Sequence, residues 1–166
     1  MMKKLLAILI ALMLCLSFAA IAEEEAALPE VTSEVTFDAQ TVALGDTGLT
    51  IQIPADWAVQ EAPEGILLYA LMPDGSVGVT VQTADMDFDT LLSALDEAGA
   101  TADMVNELYI NGIYCLAYEA SETAASFYTW LDEATLLTVG FTATTAEASN
   151  SVGDLPAQIF GSLAAA

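Results

Sequence analysis

Apolar and polar residues alternate at a period of two along most of this chain, and one stretch breaks that rhythm with the period of a helix. The pattern is sharpest in residues 48–57, GLTIQIPADW. Leu49, Ile51 and Ile53 alternate with Thr50 and Gln52, the signature of a half-buried strand. Pro54 removes a backbone donor and ends it. Trp57 then supplies a large apolar anchor over the sheet, so the segment is predicted to be a rigid corner. Before it, residues 35–44 read as a first strand. After it, the nearly all-apolar residues 66–72 read as an interior strand. A Pro73, Asp74, Gly75, Ser76 turn follows, and Val77, Val79 and Val81 alternate with Gly78, Thr80 and Gln82 on the returning strand of a hairpin.

The period changes at residues 85–98. Phe88, Leu91, Leu92 and Leu95 fall on one helical face, with Asp87 placed to cap its start and Gly99 to stop it. Period two then returns. Residues 104–110 and 113–120 flank Asn111 and Gly112, the strongest short hairpin signal. Residues 126–131 and 135–143 form another hairpin. Residues 144–153 read as a polar link, and Asp154 as the cap of a terminal helix over 155–163, with Pro156 tolerated in its first turn. Hairpins dominate, so the fold class predicted is α+β: a mainly antiparallel sheet of about seven strands flanked by two helices.

The first residues carry an address. Lys3 and Lys4 precede an apolar run and a small-residue site at Ala20 and Ala22, the pattern of a secretory signal peptide over residues 1–22. The run is short for a retained membrane helix. Leu14 before Cys15, with apolar residues continuing to Ala22, argues against lipid attachment at that cysteine. Residues 23–35 read as a flexible acidic arm and 36–164 as a single domain. The protein is therefore expected to be secreted or extracytoplasmic, cleaved after Ala22.

Cleavage changes the charge. Lys3 and Lys4 are the only basic residues, and all 24 acids lie beyond them, so losing the leader takes the net charge from −22 to −24. Nucleic acid and anionic membrane surfaces should repel such a chain. With no His, Lys or Arg left, Ser–His and Cys–His catalysis, Schiff bases, arginine clamps and histidine metal ligands are all excluded. Cys115, the remaining cysteine, has no disulfide partner and sits in an apolar run, as an inert core thiol would.

Residues 48–57, the strand, Asp-Gly turn and strand after them, the helix, the hairpin around Asn111 and Gly112, and the terminal QIFGSL segment together resemble the superfamily of the photosystem II extrinsic protein PsbP and its small secreted bacterial relatives. The resemblance is carried chiefly by Gly48, Ile53, Pro54 and Trp57. It implies an α/β/α sandwich and a protein that binds or assembles rather than catalyses. The photosynthetic members act through basic and histidine-bearing surfaces that this chain lacks, so no site residue carries over.

Three features could carry chemistry. Asp85, Asp87 and Asp89 open like a calcium loop, but Thr90 stands where that loop needs Gly and Asp96 where it uses Glu; acids at a helix start also simply favour its dipole. A carboxylate pair could hydrolyse glycosides, although no spacing selects one. Tyr109, Tyr114, Tyr118, Phe127, Tyr128 and Trp130 lie on neighbouring strands, either as core or as a stacking face for a peptide or sugar. The expected function is a secreted, non-catalytic binding or assembly domain at the cell envelope, with an unknown protein, peptide or carbohydrate partner. The alternatives are a carboxylate-dependent hydrolase or a low-affinity divalent-cation binder. No cofactor or catalytic residue is implied, and calcium is the one ion the pattern admits.

Overall fold

A computed structural model describes residues 27–166 of the chain. The leader and its cleavage site, with Glu23 to Glu25, lie outside the described residues. Eleven strands and three helices follow: β1 (Glu30–Val31), β2 (Ala39–Ala43), β3 (Leu49–Pro54), β4 (Ala58–Val59), β5 (Ile66–Leu71), β6 (Val77–Asp85), α1 (Phe88–Glu97), β7 (Val105–Ile110), β8 (Ile113–Ser121), β9 (Ala124–Trp130), β10 (Thr135–Ala143), α2 (Ala146–Ser151), α3 (Leu155–Gly161) and β11 (Ala164–Ala165).

The α+β class holds, with helices on both faces, but the strands divide into two sheets. Eight form one sheet in the order β1, β7, β8, β9, β10, β6, β5, β4, and β11, β3 and β2 form a second. All pairings are antiparallel except β1 with β7. The corner strand β3 thus belongs to the small sheet, not to the seven-stranded sheet expected. The reason is its apolar face: Ile51 and Ile53 are fully buried against the inner face of the large sheet, together with Val79, Val81, Leu137, Val139 and, from α3, Ile159 and Phe160. A smaller cluster on the outer face packs Leu91 and Leu95 of α1 on Leu116 and Leu136. The layers are therefore α1, the large sheet, and a third layer that combines the small sheet with α2 and α3.

Several local expectations shift for identifiable reasons. The first strand is shorter than residues 35–44, because its pairing with β3 starts at Ala39, opposite Pro54. The expected arm is paired where it can be seen. Glu30 and Val31 align with Tyr109 and Ile110, and the Ser33 N–H donates to Asn111 Oδ1 at 2.8 Å. The polar link of residues 144–153 contains a third helix, capped by Thr145, whose hydroxyl accepts from the Ala148 N–H at 3.1 Å. Asp154 makes no side-chain cap to α3. The Asn111, Gly112 hairpin is as expected, with both residues at positive φ, 52° and 78°, as a type I′ turn requires.

Candidate functional site

The three aspartates at the start of α1 take separate roles. Asp85 ends β6. Asp87 is the helix cap, its Oδ1 accepting from the Thr90 N–H at 2.8 Å, and the Thr90 hydroxyl first, then that backbone bond, lowers its pKa. Asp89 lies in the first helical turn. Among the described residues, no group of three or more His, Cys, Asp or Glu side chains comes together as a metal site. Four carboxylates are held below their ordinary pKa: Asp87, Asp74 by Ser76, Asp103 by Thr101, and Asp132 by the Ala134 N–H and Thr135. All four are exposed groups serving as acceptors in turns or caps.

The aromatic run is divided by the pleat. Phe127 points inward, stacked on Phe160 at 5.2 Å and edge-on to Phe141. Tyr118, Tyr128 and Trp130 pack beside α1 on the outer face, where the Trp130 indole N–H donates to the Met86 carbonyl at 2.9 Å. Tyr114 bridges Trp130 and Tyr109 and donates from its hydroxyl to Glu107 at 3.1 Å. Burial first, then Glu107, raises the Tyr114 pKa. Only Tyr109, 37% exposed, reaches well into solvent. The six rings are therefore mainly packing, not one continuous stacking face. Cys115 is fully buried, and burial pushes its thiol up to about 12, far from the range of a reactive cysteine.

Two concavities stand out among the described residues. One, of about 670 Å³, lies between the β8–β9 turn, α2 and α3, with Val77, Phe127 and Phe141 in its wall and Glu119, Glu122 and Asp154 among its acids. A carboxylate hydrolase needs one acid kept protonated near neutral pH. The four carboxylates held below their ordinary pKa, Asp74, Asp87, Asp103 and Asp132, lie outside this cleft.

The other, of about 380 Å³, lies on the outer face of the large sheet, with Leu91, Ala94 and Leu95 of α1 as one wall. Its floor is made where the outward positions of β6, β10 and β9 meet. Gln82, Thr138 and Tyr128 form one row across the sheet, and Thr80, Gly140 and Ser126 form the next. Thr142 follows on β10. Gly140 is a dip between flanking hydroxyls: a Cβ there would lie 3.1 Å from Thr80 Oγ1 and 3.7 Å from Ser126 Oγ. No residue lining this groove is charged, in a chain with 24 acids. Sequence reasoning passed over it because it saw β6 and β10 only as apolar alternation. The signal lay in the intervening positions, Gly78, Thr80, Gln82 and Ala84 on β6 and Leu136, Thr138, Gly140 and Thr142 on β10, none of them acidic.

No protein-family model and no curated protein matches the sequence. Among solved structures, a crystal structure from Bacteroides thetaiotaomicron aligns at 14% identity and a TM-score of 0.49, over 75% of this chain and 47% of its own, so the chain spans about half of that protein. The solution structure of cyanobacterial PsbP (CyanoP) from Synechocystis aligns at 13% identity and a TM-score of 0.52, over 77% of this chain and 92% of that one. With its antiparallel sheet between one helix and a layer of strands and helices, this chain has a PsbP-like fold.

Proposed function

We propose that the protein is a secreted, non-catalytic binding module working outside the cytoplasm or at the cell envelope, and that its ligand sits in the outer-face groove of the large sheet. The observation that carries this reading is the groove itself: an uncharged, hydroxyl-lined concavity on a protein whose charged residues beyond Ala22 are all acidic. Its volume of about 380 Å³ falls within the range of about 300–1,000 Å³ usual for small-ligand sites. The leader-like start of the sequence supports export. Among the described residues no helix is long and apolar enough to cross a membrane. The hydrolase alternative would have to work with Glu119, Glu122 and Asp154 in the other cleft.

The test is capture. The secreted chain and a Thr80→Val/Thr138→Val variant are incubated with envelope preparations from the cells that produce it, and the retained fraction is measured. Retention of the wild type that falls in the variant supports the groove as the binding site. Equal retention of the two overturns it.

A further inference from the structure

We infer that the ligand of the groove is a short, uncharged glycan, lying across β6, β10 and β9 with one ring over Gly140. This rests on the binding reading above and names the class of ligand. The first argument is charge. Acids repel anions at long range, and a cationic ligand would be drawn to the acid-rich surface elsewhere rather than to a groove without a charged residue. A neutral ligand is the class this groove selects.

The second argument is the kind of hydrogen bond on offer. β6 and β10 are interior strands, paired on both sides with β5, β9 and each other, so their backbone groups are already committed. A peptide adding itself as a strand needs a free sheet edge, and this floor provides none. The residues lining the groove carry the hydroxyls of Thr80, Thr138, Thr142, Ser126 and Tyr128 and the amide of Gln82. Hydroxyls both donate and accept, which suits a ligand whose own groups are hydroxyls. Apolar contact comes from the Tyr128 ring and from Ala94, backed by the buried Leu91 and Leu95, the surface that the C–H face of a sugar ring would cover.

The third argument is shape. Residues two apart on a strand are separated by about 6.7 Å and neighbouring strands by about 4.8 Å. The floor from Ala84 to Thr80 along β6, and across β6, β10 and β9, is therefore about 13 Å by about 10 Å. That is a platform for a few rings, with Gly140 as its one depression.

The measurement is binding of the secreted chain to immobilised glycans: neutral oligosaccharides from starch, cellulose and galactan, anionic polygalacturonate, and cationic chitosan. The expected result is retention on at least one neutral glycan, insensitive to added salt. Thr80→Val and Thr138→Val should each weaken it by about five- to tenfold, the usual effect of one lost hydrogen bond. Gly140→Ala, which fills the depression with a methyl group, should weaken it without removing any hydroxyl. Thr→Val keeps side-chain volume and suits a strand, and melting curves of all three variants check that the fold is intact. The inference is overturned by failure to bind any neutral glycan, by better binding to a charged one, or by equal binding of wild type and variants. Envelope capture separates this failure from that of the binding reading. Groove-dependent capture abolished by protease and untouched by glycosidases means a protein partner, which sinks the glycan and leaves the binding module standing.

Discussion

Asn111 does more than turn a hairpin. Its φ of 52° is a left-handed conformation that Asn tolerates better than most residues, and this frees its side chain to act as a clamp. Nδ2 donates to Ser33 O at 2.7 Å and to Gly161 O at 2.9 Å, while Oδ1 accepts from the Ser33 N–H at 2.8 Å. One amide thus joins the N-terminal segment, the β7–β8 turn and the end of α3. Gly161 is the matching half, since a Cβ there would lie 2.7 Å from Asn111 Nδ2 and 2.9 Å from Ile110 Cγ2. Asn111→Gly keeps the turn and removes the clamp. It should cost about 2–3 kcal/mol in denaturant unfolding, the scale of three lost hydrogen bonds, and should speed hydrogen exchange in β1. An unchanged midpoint would show the clamp to be idle. Cys115 gives a second prediction at this scale. A thiol whose folded pKa is raised contributes stability that is intact below its unfolded value, about 8.5, and is lost as pH rises through the folded one, here about 12. Unfolding midpoints should therefore fall above about pH 9, and Cys115→Ala should flatten that decline whatever its effect at neutral pH. An equally steep decline in the variant would place the alkaline sensitivity elsewhere, with Tyr114 as the next suspect.

At the scale of elements, the corner after β3 is held from both sides. Trp57 is 4% exposed within the core, and Gln40 Nε2 from β2 donates to the Pro54 carbonyl at 3.0 Å and to the Trp57 carbonyl at 2.7 Å. Trp57→Ala should cost about 3–5 kcal/mol, the usual range for emptying a large aromatic site. A wild-type denaturant midpoint would mean that the ring contributes little packing. This corner, α1 with its Asp87 cap, and the Asn111 hairpin were legible in the sequence because their signals are local: a period, a cap, a turn dipeptide. The two-residue strands β1, β4 and β11 were not, since two residues have no period. α2 was missed because it buries no residue fully and shows no apolar stripe, only the Thr145 cap. The division into two sheets was hidden for another reason. β3 alternates equally well whether its apolar face meets a neighbouring strand's sheet or an opposing one, and only long-range packing chooses. The candidate groove shares that limit, because its rows of hydroxyls exist only once β6, β10 and β9 are aligned in register.

For the whole molecule, charge sets the response to solution conditions. Every charged side chain beyond Ala22 is acidic, so among the described residues no side-chain ion pair offsets the crowding of carboxylates in the compact state. Self-repulsion of so many like charges destabilises the compact state and grows as the acids ionise, so stability should fall as pH rises through the carboxylate range toward about 8. The four lowered aspartates, Asp74, Asp87, Asp103 and Asp132, act in the other direction at lower pH. A depressed folded pKa gives stability that is present above the unfolded value, about 3.9, and lost as pH drops through the folded one. The two effects together place the most stable pH on the acid side of neutrality, unlike a protein held by salt bridges. Sodium chloride should raise the melting temperature near neutral pH by screening the repulsion. Calcium and magnesium should raise it further and alike, without saturation, because Asp85, Asp87 and Asp89 do not assemble as a metal site. The measurement is melting temperature against pH, against salt, and against calcium with magnesium as control. A higher melting temperature at pH 8 than at pH 5 would refute the repulsion argument. A saturable response to calcium that magnesium fails to reproduce would instead return the start of α1 to the role of a metal site.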